Sequence, residues 1–231
     1  MTPKLAAQPF PLSHSAVDES LVALWQGDGD ATDALGRLDG TAINVSYTPG
    51  VFGQAFLLNG RDAYVRIPDS PWLEITKELT LEMWFKRRSE SSYGTLIDKR
   101  TWESCNYGVI MSSDWAFQLY YDDPRIYDGN QYEISFSSVP RAEVFHHFVG
   151  IIRQVDSEMI QLNTYIDGEL VQSDVRRGNL RRTFNNGALG IGAARDGAGE
   201  YFEGAIDEVA IYRRALSEEE ISAHFRAGAK P

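Results

Sequence analysis

The chain has 231 residues, 43% hydrophobic and 12% aromatic, which suits one large all-β domain and excludes disorder for most of it. Its 22 basic against 33 acidic residues give a net charge of -11, which opposes nucleic acid and anionic membrane surfaces and favours neutral ligands or cations. The single cysteine, Cys105, excludes an internal disulfide and reads as a small buried thiol. No apolar run approaches the roughly 18 residues of a membrane helix, so no membrane insertion is expected.

Residues 1–20 contain Pro3, Pro9 and Pro11 without periodicity and read as an extended lead-in to a domain over 21–231. The lead-in has one Lys and no continuous apolar core, so no signal peptide is legible; the chain reads as intracellular, or as a mature or excised domain. From Leu21 onward, short apolar or alternating runs are divided by Gly, Asp, Asn and Pro. Strands are predicted at Leu21–Trp25, Gly40–Val45, Ala55–Leu58, Ala63–Ile67, Leu79–Phe85, Thr95–Asp98 and Tyr107–Met111. Further strands are predicted at Ala116–Tyr121, Tyr132–Phe136, Val144–Arg153, Ile160–Ile166, Leu170–Gln172, Ala188–Ile191 and Gly204–Tyr212. So many short strands with almost no helix imply an antiparallel two-sheet sandwich.

Three stretches are informative in detail. In Leu79–Phe85 the odd positions are all apolar and the even ones mixed, as in a strand with one face on the core. Asp167-Gly168 between two alternating runs predicts a tight hairpin, because both residues tolerate positive φ. After Tyr212 a basic pair ends the last strand, and Ser217 with Glu220 three residues on predicts the cap of a short C-terminal helix.

Candidate chemistry begins with Asp207, an acidic residue inside that last apolar strand. If Asp207, Val209 and Ile211 share a face, the carboxylate needs a partner: a metal ion, backbone N–H groups or an Arg. A second candidate is the aromatic belt between residues 102 and 132. Aromatic rings stack on the C–H faces of sugars while nearby polar side chains read hydroxyls. Arg100, Trp102, Asn106, Trp115, Tyr121 and Tyr127 are the candidate ligand-binding residues, whereas Tyr107, Phe117 and Tyr132 read as core. The basic run Arg176–Arg182 reads first as a solvated loop and second as a dock for an anionic polysaccharide. His146 and His147 point to opposite faces of one strand and read as structural. Catalysis finds little support: Glu78 and Glu82 lie about 13 Å apart along a strand, beyond the spacing of a retaining glycosidase pair.

Several segments in order resemble the laminin-G-like jelly-roll family of the concanavalin A-like lectin/glucanase superfamily. They are Leu24-Trp25 with Asp33, Gly36 and Asp39-Gly40-Thr41; Gly50–Gly60; Asp62–Ile67; Leu79–Phe85; and Leu96–Lys99. Phe145–Val149, Tyr165–Gly168, Leu189–Gly192 and Phe202–Ile221 complete the series. The resemblance implies a jelly-roll sandwich with a short C-terminal helix and, commonly, a structural calcium ion. Carried onto this chain, that ion is expected between the loop containing Asp28, the turn Asn59-Gly60, and Asp207. The stretch Gly192–Gly197, which resembles the acidic loop of the pentraxins, has lost most of the carboxylates, so their double calcium site is not expected. Because the fold hosts many functions, the residues decide among them. The expectation is a non-catalytic carbohydrate-binding or adhesion module whose partner is a glycan or polysaccharide. The alternatives are a structural or protein-interaction domain with another protein as partner, and a polysaccharide-cleaving enzyme. The resemblance implies a secreted or extracellular setting; the residues leave the compartment open.

Overall fold

The computed structural model describes residues 18–102, 104–111, 117–121, 132–136 and 140–229, so residues 1–17 of the expected lead-in lie outside the described residues. Among these, the strands in chain order are β1 (Leu21–Trp25), β2 (Thr41–Ile43), β3 (Ser46–Pro49), β4 (Gln54–Asn59), β5 (Tyr64–Ile67), β6 (Glu78–Arg87), β7 (Gly94–Arg100) and β8 (Cys105–Met111). They continue as β9 (Phe117–Tyr121), β10 (Tyr132–Phe136), β11 (His146–Gln154), β12 (Met159–Ile166), β13 (Glu169–Arg177), β14 (Leu189–Ile191) and β15 (Glu203–Tyr212), followed by helix α1 (Glu218–Gly228). One sheet runs β13-β12-β11-β6-β15-β4-β3, with β1 beside the second half of β15; the other runs β10-β9-β8-β7-β14-β5-β2. All these neighbours are antiparallel, for example β6 with β11 and β7 with β8.

Each expected strand has a counterpart with ends within a few residues of the expected ones, except one that is much longer, and one further strand is added. β13 continues to Arg177, well past Gln172, because as an edge strand it pairs only with β12 and keeps polar residues exposed. β3 was not legible in the sequence; it is a short edge strand, where Pro49 sacrifices no ladder hydrogen bond on its open side. The hairpin between β12 and β13 closes at Asp167 (φ 52°) and Gly168 (φ 81°), the two positive φ values that a type I′ turn demands.

The main core lies between the sheets. Leu79, Leu81, Met83 and Phe85 of β6 pack in one cluster with Val65, Ile97, Val109 and Ile191 of the opposing sheet. Asp33, in the loop after β1, is 4% exposed and accepts backbone N–H bonds from Leu24, Leu35, Arg37 and Leu38, which knits that loop shut.

The alternation in β6 predicts solvent on its second face, yet Thr80, Glu82 and Trp84 are buried there as well. The reason is α1, whose Ile221 joins Leu216, Tyr212, Ala210, Val149, Ile151 and Tyr165 in a second apolar cluster outside the first sheet. The capping box forms as expected: Ser217 Oγ accepts from the Glu220 N–H (3.3 Å), and the Ser217 N–H donates to Glu220 Oε2 (2.8 Å). Arg214 ties Glu220 to Asp18, at Nη2–O distances of 2.7 and 2.6 Å.

A polar knot lies under the helix. Glu82 Oε1 meets His147 Nε2 of β11 at 2.8 Å and His224 Nδ1 of α1 at 2.9 Å. Burial pushes the Glu82 carboxyl up, but the hydrogen bonds from the two imidazoles outweigh it and hold the group at about 2. Its stabilising contribution is therefore present above the ordinary value of 4.5 and is lost as pH falls through about 2. His146, on the opposite face, bonds through Nδ1 to Asp167 Oδ2 at 2.7 Å, a structural role for both histidines.

Truncation of Glu82 removes the acceptor shared by the buried His147 and the half-buried His224, so Glu82→Ala is expected to cost about 3–5 kcal/mol. Ser217→Ala removes only the helix cap, at about 1 kcal/mol. Urea denaturation of both variants checks the magnitudes and their order.

Candidate functional site

Two groups of polar residues outside the apolar cores merit attention, one at each sheet. The first is built by β15. Its pairing with β6 slips between Asp207 and Ala210, and Glu208 takes φ 50°, so a bulge inserts one residue into the strand. The alternation expected for Asp207, Val209 and Ile211 therefore fails: Val209 and Ile211 join Ile206 in the main core, while Asp207 lies on the other side of the bulge. Both Asp207 and Glu208 are fully buried.

Asp207 Oδ2 accepts the N–H groups of Val51 (2.7 Å) and Phe52 (3.2 Å), in the turn between β3 and β4. Gly50 permits this approach, since a Cβ there would lie 2.5 Å from Oδ2. Asp28 accepts the Gln54 N–H through Oδ1 (2.7 Å), and so belongs to the same corner. Gln26 donates to Glu208 Oε1 at 3.4 Å, while Asp207 Oδ1 and Glu208 Oε2 are buried without a well-formed hydrogen bond. Desolvation raises Asp207 to about 7, with repulsion from Asp28 adding to it. Desolvation and then the neighbouring Asp207 raise Glu208 to about 9.

Of the expected metal residues, the structure brings Asp28 and Asp207 together. It does not bring Asn59 and Gly60 to them: Asn59 lies opposite Glu203, at the start of β15, and spends its Oδ1 on the N–H groups of Arg61, Asp62 and Ala63. The turn at Asp207 is Gly50–Gly53 instead. Glu208 was missed because strict strand alternation turns it away from Asp207, and only a bulge brings the pair together. The orphaned, mutually repelling oxygens are of the hard type that calcium takes. Among the described residues, no three His, Cys, Asp or Glu side chains form a ready ligand set, so backbone carbonyls and water would have to complete the shell.

The second group lies on the outer face of the second sheet. The hairpin between β7 and β8 closes with the Thr101 N–H donating to the Ser104 carbonyl (2.8 Å), and it presents Trp102 76% exposed. The Arg195 guanidinium sits 4.8 Å from the Trp102 ring centroid. Arg195 is fixed in turn: its N–H donates to Asp98 Oδ2 (2.9 Å) and its Nη1 to Glu200 Oε1 (3.2 Å). Arg100, nearly buried, bridges the same two carboxylates, with Nε 3.2 Å from Asp98 Oδ2 and Nη2 on Glu200 Oε2.

Arg195 (φ 49°), Asp196 (φ 58°) and Glu200 (φ 52°) all occupy the left-handed region, a concentration of backbone strain in one loop. Asp196 is held by Arg66 of β5, through Arg66 Nη2 at 3.1 Å from Oδ2. The result is a rigid, charged shelf with one large aromatic ring standing above it.

The other expected ligand residues fare differently. Asn106 is fully buried and donates to Thr183 Oγ1 (2.6 Å), so it positions the hairpin and does not reach the surface. Trp115 and Tyr127 lie outside the described residues, and Tyr121 is described only as a backbone position in β9. Tyr107 is core, as expected, with its hydroxyl donating to the Leu73 carbonyl (3.3 Å). In the basic run, Arg176 pairs with Asp174. Arg195 and Glu200 had no sequence signal beyond a glycine-rich loop.

Solved structures with the same fold include domain 4 of AbnA, a GH43 extracellular arabinanase from Geobacillus stearothermophilus, in complex with arabinotriose. It is 20% identical, with a TM-score of 0.70 over 89% of this chain and 98% of that one. The binding domain of Paraclostridial Mosquitocidal Protein 1 is 15% identical, with a TM-score of 0.70 over 89% of this chain and 52% of that one. The binding domain of Botulinum neurotoxin DC, in complex with rat synaptotagmin II, is 13% identical, with a TM-score of 0.71 over 92% of this chain and 52% of that one. The chain thus spans about half the length of these two toxin binding domains. No curated protein matches it in sequence. The model of the Laminin_G_3 family matches residues 59–222, and with the two-sheet jelly roll around them the chain belongs to that family of the concanavalin A-like lectin/glucanases superfamily.

Proposed function

We propose that the chain is a non-catalytic glycan-binding module whose sugar platform is Trp102, flanked by Arg195. The observation that carries this reading is an indole 76% exposed on a hairpin that buried polar groups hold in place. An exposed Trp leaves apolar area in water, and stacking a sugar face on it recovers part of that loss. Arg195 orients the ring through a cation–π contact, and guanidinium N–H groups beyond the one bonded to Glu200 can read hydroxyls. Domain 4 of the arabinanase, which carries arabinotriose, supports a small neutral oligosaccharide as the first ligand class to try. The alternative, a protein-interaction module, has support from the neurotoxin binding domain in complex with synaptotagmin II.

We also propose a structural calcium ion at the corner of Asp28, Asp207 and Glu208. What supports it is the pair of buried, poorly bonded oxygens, Asp207 Oδ1 and Glu208 Oε2, in a cluster of like charges. A divalent cation would turn that repulsion into attraction and tie the loop after β1 to the last strand.

Titration with arabino-oligosaccharides and a panel of neutral glycans, read by Trp fluorescence, is expected to give a saturable change that Trp102→Ala weakens about tenfold or more. Equal binding by the variant, or no response to any glycan, rejects the platform.

Without calcium, the raised values of Asp207 and Glu208 make the fold most stable with both protonated, so their contribution is full below about pH 4 and is lost as pH rises through about 7 and about 9. The melting temperature in chelator should therefore fall between pH 6 and pH 9. Saturating calcium at pH 8 should raise it by roughly 5–10 °C, and the double variant Asp207→Asn with Glu208→Gln should abolish both effects. Identical wild-type melting in calcium and in chelator sinks the ion.

A further inference from the structure

A second site lies away from the Trp102 shelf, where the segment joining β5 to β6 meets the end of β15. Ser70 and Pro71 start a single 3-10 turn, Pro71–Leu73, in which Leu73 is fully buried and Trp72 is 43% exposed. Beside it is a cavity of about 360 Å³, lined by Pro71, Trp72, Glu74, Thr76, Lys77 and Arg213 among others. That volume lies within the range of sites that take small organic ligands.

The charges in this cavity are unequally committed. Glu78, at its edge, is satisfied from within the protein: Arg153 Nε lies 3.0 Å from Oε1, and the Ala215 N–H donates to Oε2 at 3.2 Å. Lys77 and Arg213 form no ion pair among the described residues, so with Glu78 engaged by Arg153, Glu74 is the remaining carboxylate of a lining that holds two such cations. The Arg213 guanidinium lies 5.0 Å from the Trp72 ring centroid, and Arg37 lies 4.7 Å from it. Stacking of this kind holds the planar guanidinium by its face and leaves its N–H edge free, the edge that grips a carboxylate with two parallel bonds. In the same lining the Thr76 hydroxyl and the Glu74 carboxylate can pair with ligand hydroxyls. A carboxylate and several hydroxyls on one ring, small enough for this volume, describe a uronic acid.

We propose that this cavity binds a uronate unit of an acidic saccharide, its carboxylate on Arg213 with Lys77 in support. The site is separate from Trp102 in residues and in ligand charge, so it stands whether or not the neutral-glycan platform does.

The test compares tetragalacturonate with maltotetraose by isothermal titration and by NMR of the indole N–H signals. Tetragalacturonate is expected to bind wild type and Trp102→Ala equally and to shift the Trp72 indole. Its affinity should fall with added salt and drop about tenfold or more in Arg213→Gln. Lys77→Gln gives a smaller loss and serves as an independent variant; both side chains are exposed, so unchanged melting temperatures verify the fold. Undiminished binding by Arg213→Gln, a silent Trp72 indole, or equal affinity for maltotetraose overturns the proposal.

Discussion

The bulge in β15 is the constraint on which the rest of the molecule depends. This strand pairs with β6 along one side and with β4 and then β1 along the other, so it has no solvent-facing edge over most of its length. It must also serve two apolar clusters, with Ile206, Val209 and Ile211 between the sheets and Ala210 and Tyr212 under α1. The extra residue at Glu208 re-phases the strand so that both clusters are filled. Its cost is the burial of two adjacent carboxylates, which explains why the first half of the strand meets the Gly50–Gly53 turn through backbone N–H bonds.

Across the same ladder, Ala210 pairs with Glu82, whose carboxylate draws in His147 and His224. Helix α1 is thus attached by an apolar seam and a buried polar contact together. An apolar seam alone would let the helix slide; a satisfied polar contact specifies its position.

The second sheet applies the same logic to its surface. Arg100 and Asp98 are nearly buried, fixed by each other and by Glu200. They in turn fix Arg195, which orients the one exposed ring of the hairpin. The exposed group is thus mounted on regular strands through a shell of satisfied polar contacts, which holds the ring in one place as the proposed platform requires. At Trp72 the arrangement is reversed: the ring supports two guanidinium groups, and one of them, Arg213, lines the cavity.

The local features were legible in the sequence. Strand periodicity, the Asp167-Gly168 turn and the Ser217–Glu220 cap each depend on residues within a few positions of one another, where steric preference and hydrogen-bonding chemistry act without help. The ordered motifs from Leu24 to Ile221 carried the family. What only the tertiary structure decided depends on contacts far apart in the chain. Asp207 meets Val51 across 156 positions and Arg195 meets Asp98 across 97, distances over which periodicity carries no information. The bulge at Glu208, the Gly50–Gly53 turn in place of Asn59-Gly60, the burial of Asn106 and the exposure of Trp102 all follow from such contacts. Sequence pattern reports which side of a strand is apolar; what covers each side is settled only when the sheets and the helix close on one another.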